Sequence, residues 1–254
     1  MSERKSVAAE PPLISDPRRL AEAEASNAVA QYDWALEEAQ RWIDAGKPNL
    51  RISMLLELHR KALQGIDRYA GNFRPDSVRI EGSSHDPIPG AEVPSQVEEL
   101  FEHLKDNWER KTATYLSAYA MWRLNWIHPF ADGNGRTSRM LSYMILCARS
   151  GFIFPGVKSI PEQISENKTP YYRALEAADH AWLQDQKVDV SKMTQLMEDY
   201  LSNQLVTMAE TATGKTFNGH ESGQQKRGIE RHAVLVALIV GLLVTAATIA
   251  AALI

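Results

Sequence analysis

The stretch from His128 to Arg139 reads HPFADGNGRTSR, with one histidine, one acid, two glycines around an asparagine and two arginines. Gly133, Asn134 and Gly135 fall where a helix is expected to begin. Exposed backbone amides at a helix start carry partial positive charge and cradle anions. Glycine lets that backbone approach a phosphate closely and adopt positive φ. Arg136 and Arg139 are three apart, hence on one helical face, and two guanidiniums beside such a nest suit a di- or triphosphate. Asp132 is an acid in a place otherwise tuned for anions, and the simplest use for it is to hold a Mg²⁺ shared with the phosphates. His128 ends the preceding helix and points at the same turn, where a neutral imidazole can take a proton from an incoming hydroxyl. Phe130 is apolar and is expected to anchor the loop. Together these residues predict attack on a nucleotide phosphate.

Helices must position this group. Residues 1–16 read as a loose tail, and Pro17 to Ala45 favours helix through its Ala, Glu, Gln and Leu content. Asn49 is placed to cap a second helix with Ile52, Leu55, Leu56, His59 and Leu63 on one face, which makes His59 a packing or capping residue. Ser95 is placed to cap a third, with Val97, Leu100, Phe101 and Leu104 inward. Tyr115 to Ile127 is strongly apolar, and its Trp122 and Trp126 read as core. Pro129 should end it, Arg136 to Arg149 should restart as helix, and Gly151 should close that one. Pro170 to Ala181 and Ser191 to Met208 add two more. Between them, Val78-Arg79-Ile80 and the turn-rich Gly82 to Pro89 predict a hairpin or flap. Thr213-Gly214-Lys215-Thr216 echoes a P-loop ending, but Ala209 stands where its first glycine belongs, so it is not read as a phosphate site.

The twelve-residue stretch matches every fixed position of His-Pro-Phe-x-Asp-Gly-Asn-Gly-Arg-x-x-Arg and so resembles the Fic (Fido-domain) signature. Gly71-Asn72-Phe73-Arg74 with the Val78 to Pro87 segment resembles that family's target-binding flap. Tyr171-Tyr172-Arg173-Ala174-Leu175 resembles the helix that closes its nucleotide pocket. The resemblance implies an all-α Fic/Fido catalytic domain over 17–208 (core 71–150) with a β-hairpin flap. It implies transfer of AMP from ATP, with Mg²⁺, to a Ser, Thr or Tyr hydroxyl of a target protein. In that reading His128 is the base, Asp132 holds the metal, and Gly133, Asn134, Gly135, Arg136 and Arg139 hold phosphates. Tyr171, Tyr172 and Asp179 lie toward the base and ribose, although packing alone also explains the tyrosines. Val78, Arg79, Ile80 and Gly82 form the flap that binds the target by strand addition. Transfer of UMP, phosphate or phosphocholine, and a non-catalytic nucleotide-binding scaffold, are the alternatives. Many relatives restrain themselves with Ser/Thr-x-x-x-Glu-Gly/Asn, whose glutamate pairs with the second arginine. Here Ser26-Asn27-Ala28-Val29-Ala30-Gln31 puts Ala30 at that position. The expectation is an enzyme without its own inhibitory glutamate, unless Glu22, Glu24 or a separate inhibitor protein supplies the acid.

Composition bounds the rest. Net charge is −4 with no long basic block, which argues against nucleic acid as the main partner. The single cysteine, Cys147, excludes a disulfide framework and reads as a buried small hydrophobe in a reducing compartment. The first residues, MSERKSVAAEPPL, have no apolar core of the secretory kind. Residues 209–231 read as a flexible linker. From Ala233 to Ile254 there is no charge, and a membrane helix needs about 20 such residues. A transmembrane helix over 232–254 is therefore expected, with Lys226, Arg227 and Arg231 on its cytoplasmic side together with the catalytic domain.

Overall fold

The computed structural model describes residues 4–7, 13–155 and 158–213. Two compact units divide the chain. In the first, α1 (Pro17–Ala45) starts from Asp16, whose carboxylate accepts from the Arg19 amide at 2.8 Å, and ends at Gly46 with φ 66°. Then follow α2 (Ile52–Leu63), β2 (Arg79–Glu81), a 3-10 turn, α3 (Val93–Asn107), α4 (Ala113–Ile127), α5 (Asn134–Ser150), α6 (Ile160–Glu166) and α7 (Lys168–Asp185), with the first turns of α8 (Ser191–Thr213). In the second unit the end of α8 buries Leu205, and Gln204 Nε2 donates to the Phe154 carbonyl at 3.4 Å.

The helix α4 is buried on nearly every side, which fits its apolar sequence, and α5 lies against it. Small side chains make this close approach possible. The Ser117 and Ser142 hydroxyls lie 2.7 Å apart, and each is within hydrogen-bond reach of the other's carbonyl. Trp122, Leu124, Leu141, Met144 and Cys147 are fully buried at this centre, so Cys147 is the core residue its surroundings predict. All four apolar positions expected on α3 face inward.

Several expectations need correction. Asn49 does not cap α2. The N-cap is Arg51, extended at φ −141°, and the Asn49 side chain instead accepts from the Arg51 guanidinium. Ser95 does not cap α3, which begins two residues earlier behind the tight turn at Gly90–Glu92. The flap is not a hairpin. Its strand β2 pairs antiparallel with β1 (Lys5–Val7), a segment read from sequence as loose tail. Among the described residues these two strands are the whole sheet. A three-residue strand has too few backbone bonds to show itself in composition. Its pairing partner is what makes it a strand. Helix α8 runs to Thr213, past the helix end expected at Met208. The expected span at 232–254 lies outside the described residues, and no described helix is long and apolar enough to cross a membrane.

Candidate active site

The signature loop joins the end of α4 to the start of α5. His128 ends α4 in the left-handed region (φ 53°, ψ 58°) and Gly133 starts α5 at φ 75°. The turn between them is held by a side chain from its own sequence. Asn134 is 1% exposed, its Oδ1 accepts from the Phe130 amide at 3.0 Å, and its Nδ2 donates to the Phe130 carbonyl at 2.8 Å. Expected to hold phosphate, Asn134 thus spends its side chain on closing the loop, which leaves α5's first amides as the anion nest.

The tautomer of His128 follows from its partners. Nδ1 lies 3.2 Å from the Asn125 carbonyl, an acceptor only, so Nδ1 carries the proton and Nε2 keeps its lone pair. Burial pushes the imidazole pKa down to about 4, with His85 and Arg74 adding to the effect, so the ring is in its proton-accepting form at neutral pH. Phosphate charge arriving beside it acts in the opposite direction and strengthens the base. Ser6 Oγ stands 2.8 Å from Nε2.

Other side chains fix the histidine and the flap, and sequence reasoning assigned them no such role. Arg74, 3% exposed, donates through Nε to the His128 carbonyl at 2.8 Å, through Nη1 to the Asp76 carbonyl at 2.8 Å, and through Nη2 to the Ile88 carbonyl. One guanidinium therefore ties both ends of the flap to the base; the Gly-Asn-Phe-Arg resemblance was the only signal for it. His85, in the flap turn, donates from Nε2 to the Trp126 carbonyl at 2.7 Å. In the flap itself Val78 and Ile80 are buried, Arg79 is exposed, and Gly82 turns the chain at φ 74°.

His59 is the packing residue the helix face predicted, and its task is definite. Gly71 N–H donates to Nδ1 at 3.0 Å, so the other nitrogen carries the proton and donates to the Asp132 carbonyl at 3.0 Å. The ring stacks on Phe130 with centroids 3.7 Å apart and planes 3° apart. Burial pulls its pKa down to about 4. Both buried histidines take up a proton near pH 6.5 only in the unfolded chain. The stability that depends on their neutrality is thus complete above about pH 6.5 and is lost as pH falls toward 4. Denaturant midpoints measured at pH 7.5, 6 and 5 are expected to fall steeply over this range, and the fall is expected to be shallower in His59→Gln. An unchanged midpoint from pH 7.5 to 5 refutes this.

Asp132 is half-exposed, and Arg136 pairs with it at 2.9 Å and with Glu24 of α1 at 3.0 Å. Ala30 is exposed, whereas Gln31 is buried with Nε2 donating to the Leu58 carbonyl at 3.1 Å. The acid that α1 brings to the signature helix is therefore Glu24, on the first arginine. No described carboxylate reaches Arg139 within ion-pair distance. Its guanidinium lies over Gly135, where an added Cβ would come 3.1 Å from Nη1, and burial lowers its pKa while Tyr171 and Tyr172 act in the opposite direction. Tyr171 is fully buried, with Ser138, Asn125 and Arg139 around its hydroxyl. Tyr172 stands next to it, ring centroids 5.6 Å apart. Asp179, lower on α7, accepts from Trp122 Nε1 at 2.8 Å, and burial raises its pKa.

Residues 49–146 match the model of the Fic/DOC family. Over that stretch this is a Fic domain. Protein adenylyltransferase Fic of Drosophila persimilis is 36% identical over 150 residues, 56% of this chain and 27% of that protein. The Drosophila virilis protein of the same name is 35% identical, covering 56% and 29%. The chain thus spans under a third of these relatives' length. Fic-1 of C. elegans shares the fold with a TM-score of 0.61 at 21% identity, over 80% of this chain and 55% of that one. A Fic domain protein of Bacteroides thetaiotaomicron does so with 0.56 at 22%, covering 76% and 74%.

The Fic site's donors fit a magnesium nucleotide. Arg139 and the first amides of α5 are available to an anion. Asp132 offers one half-exposed carboxylate, and Mg²⁺ characteristically takes one or two carboxylates with phosphates and waters completing its shell.

Proposed function

We propose that this protein is a protein adenylyltransferase that moves AMP from ATP to a target hydroxyl. The observation that carries this is the His128 imidazole. Its lone pair is directed by the Asn125 carbonyl, its position is locked by Arg74, and it lies between a strand-pairing flap and the glycine-rich start of α5. The named activity of the Drosophila relatives supports the same reading. His128 takes the proton from the target hydroxyl as that oxygen attacks the α-phosphorus, and pyrophosphate leaves. Arg136, Arg139 and the α5 amides orient the polyphosphate; Asp132 would hold Mg²⁺, which would supply charge neutralisation. Backbone pairing to β2 presents the hydroxyl in an extended segment, so the flap reads main chain more than sequence. The test is incubation with ATP labelled at the α- or γ-phosphate. Label on protein from the α position alone supports AMP transfer. Label from γ indicates phosphate transfer, and none from either overturns the reading.

Arg139→Ala is expected to raise the KM for ATP by roughly tenfold or more, since a charge-assisted contact contributes about 1.5–3 kcal/mol. Folding should change little, because the guanidinium has no carboxylate to leave unpaired. Isothermal titration with MgATP alongside thermal melts checks both halves.

We further propose that the apolar segment at 232–254 anchors the protein to a membrane with the catalytic domain on the cytoplasmic face. The support is the uncharged sequence behind Lys226, Arg227 and Arg231. Recovery of the full chain in the soluble fraction without detergent would sink this.

A further inference from the structure

The chain presents one of its own hydroxyls to its own base. β1 adds to the flap strand in antiparallel register, Lys5 opposite Glu81, Ser6 opposite Ile80 and Val7 opposite Arg79. This is the edge on which an incoming target segment would pair. Ser6 Oγ lies 2.8 Å from His128 Nε2 and 3.5 Å from Asn134 Nδ2. Nε2 is the unprotonated nitrogen, so the serine donates its hydrogen to the base and receives, through its lone pair, a weak contact from the asparagine amide. Two residues earlier Arg4 fixes the segment. Its Nη2 pairs with Glu176 of α7 at 2.7 Å, its guanidinium carbon lies 4.7 Å from the Tyr172 ring centroid, and its amide donates to the Tyr172 hydroxyl at 3.3 Å. Strand, base and anchor together define the position of an acceptor.

We propose that Ser6 is an intramolecular acceptor, so that the protein adenylylates its own flap-bound strand. This rests on the adenylyl-transfer reading above. Ser6 Oγ attacks the α-phosphorus of ATP, a Ser6–O–P bond forms, the bond from that phosphorus to the β-phosphate bridging oxygen breaks, and pyrophosphate departs. The proton from Oγ goes to His128 Nε2. The product phosphodiester no longer offers a hydroxyl to the base. The modified strand therefore loses its bond to His128 and frees the flap edge for other protein segments.

The experiment is incubation of the full chain with MgATP, followed by intact-mass and tandem mass spectrometry, at several protein concentrations. One added AMP on Ser6 is expected, at a rate independent of protein concentration. Ser6→Thr should keep the label, and Ser6→Ala and His128→Ala should lose it. Arg4→Glu should slow labelling about two- to fivefold, the range of a partly exposed ion pair, and adding Glu176→Arg should restore it. Label only at other residues, or a rate that rises with concentration, overturns the proposal. A cell lysate included in parallel separates the two readings. His128-dependent labelling of lysate proteins with Ser6 unmodified overturns the Ser6 assignment and leaves adenylyl transfer standing. No label on any protein overturns both.

Discussion

His128→Ala is expected to lower transfer by about two to four powers of ten, the usual scale for loss of a positioned general base. The structure explains why so much rests on one ring. Nδ1 is committed to the Asn125 carbonyl, which leaves a single lone pair aimed at the flap. His128 also holds a backbone conformation that most side chains avoid, at φ 53°, which costs roughly 1–2 kcal/mol. The Arg74 bond to its carbonyl offsets part of that. Because strain and packing both bear on this residue, the variant must be compared with wild type for MgATP affinity and melting temperature. The expected pattern is a collapsed turnover with nucleotide binding retained. Labelling at the wild-type rate would remove His128 from the mechanism.

Gly133→Ala is expected to be the most damaging small change in the signature. Two effects act together. The residue sits at φ 75°, where an L side chain costs about 1–2 kcal/mol. Its added Cβ would also come within 2.4 Å of Leu63 Cδ2 on α2, and 3.3 Å of His59 Nε2. Overpacking a filled site costs about 1–3 kcal/mol more. The sum is a large share of the 5–15 kcal/mol that holds an ordinary domain together. Part of the cost has an identifiable remedy. Leu63→Ala removes the clashing carbons, so Gly133→Ala with Leu63→Ala should be less destabilised than the two single costs added. Urea unfolding of the four proteins measures that coupling. Simple additivity would mean that the φ penalty acts alone. Wild-type stability in Gly133→Ala would contradict both effects.

The protein was legible in its sequence wherever neighbouring residues decide the outcome. The bounds of α1 follow from Asp16, Pro17 and Gly46, and the close of α5 follows from Gly151, because caps act within a turn. The inward face of α3 follows from apolar spacing at the helical period, whereas on α2 Leu55, His59 and Leu63 are buried as expected but Ile52 and Leu56 are half-buried and Met54, Leu58 and Ala62 face inward instead. The grouping of the histidine, the glycine-rich turn and the arginines was readable because all of them lie on one loop and one helix start.

Tertiary structure decided what no local rule reaches. Ser6 and His128 are 122 positions apart, and only pairing of β1 to the flap brings them to 2.8 Å. The same holds for Arg74 on the His128 carbonyl, for His59 under the Asp132 turn, and for Glu24 on Arg136, where the sequence pattern had pointed to residue 30 and Arg139. Asn134 shows the distinction within the signature itself. Its presence in the glycine-rich turn was plain, but the use of its amide to close the loop on Phe130 depends on where the folded backbone leaves a donor and an acceptor unpaired. Spacing along the chain specifies which groups are near one another within a turn of helix; the partners of a buried polar atom are set by every element packed around it.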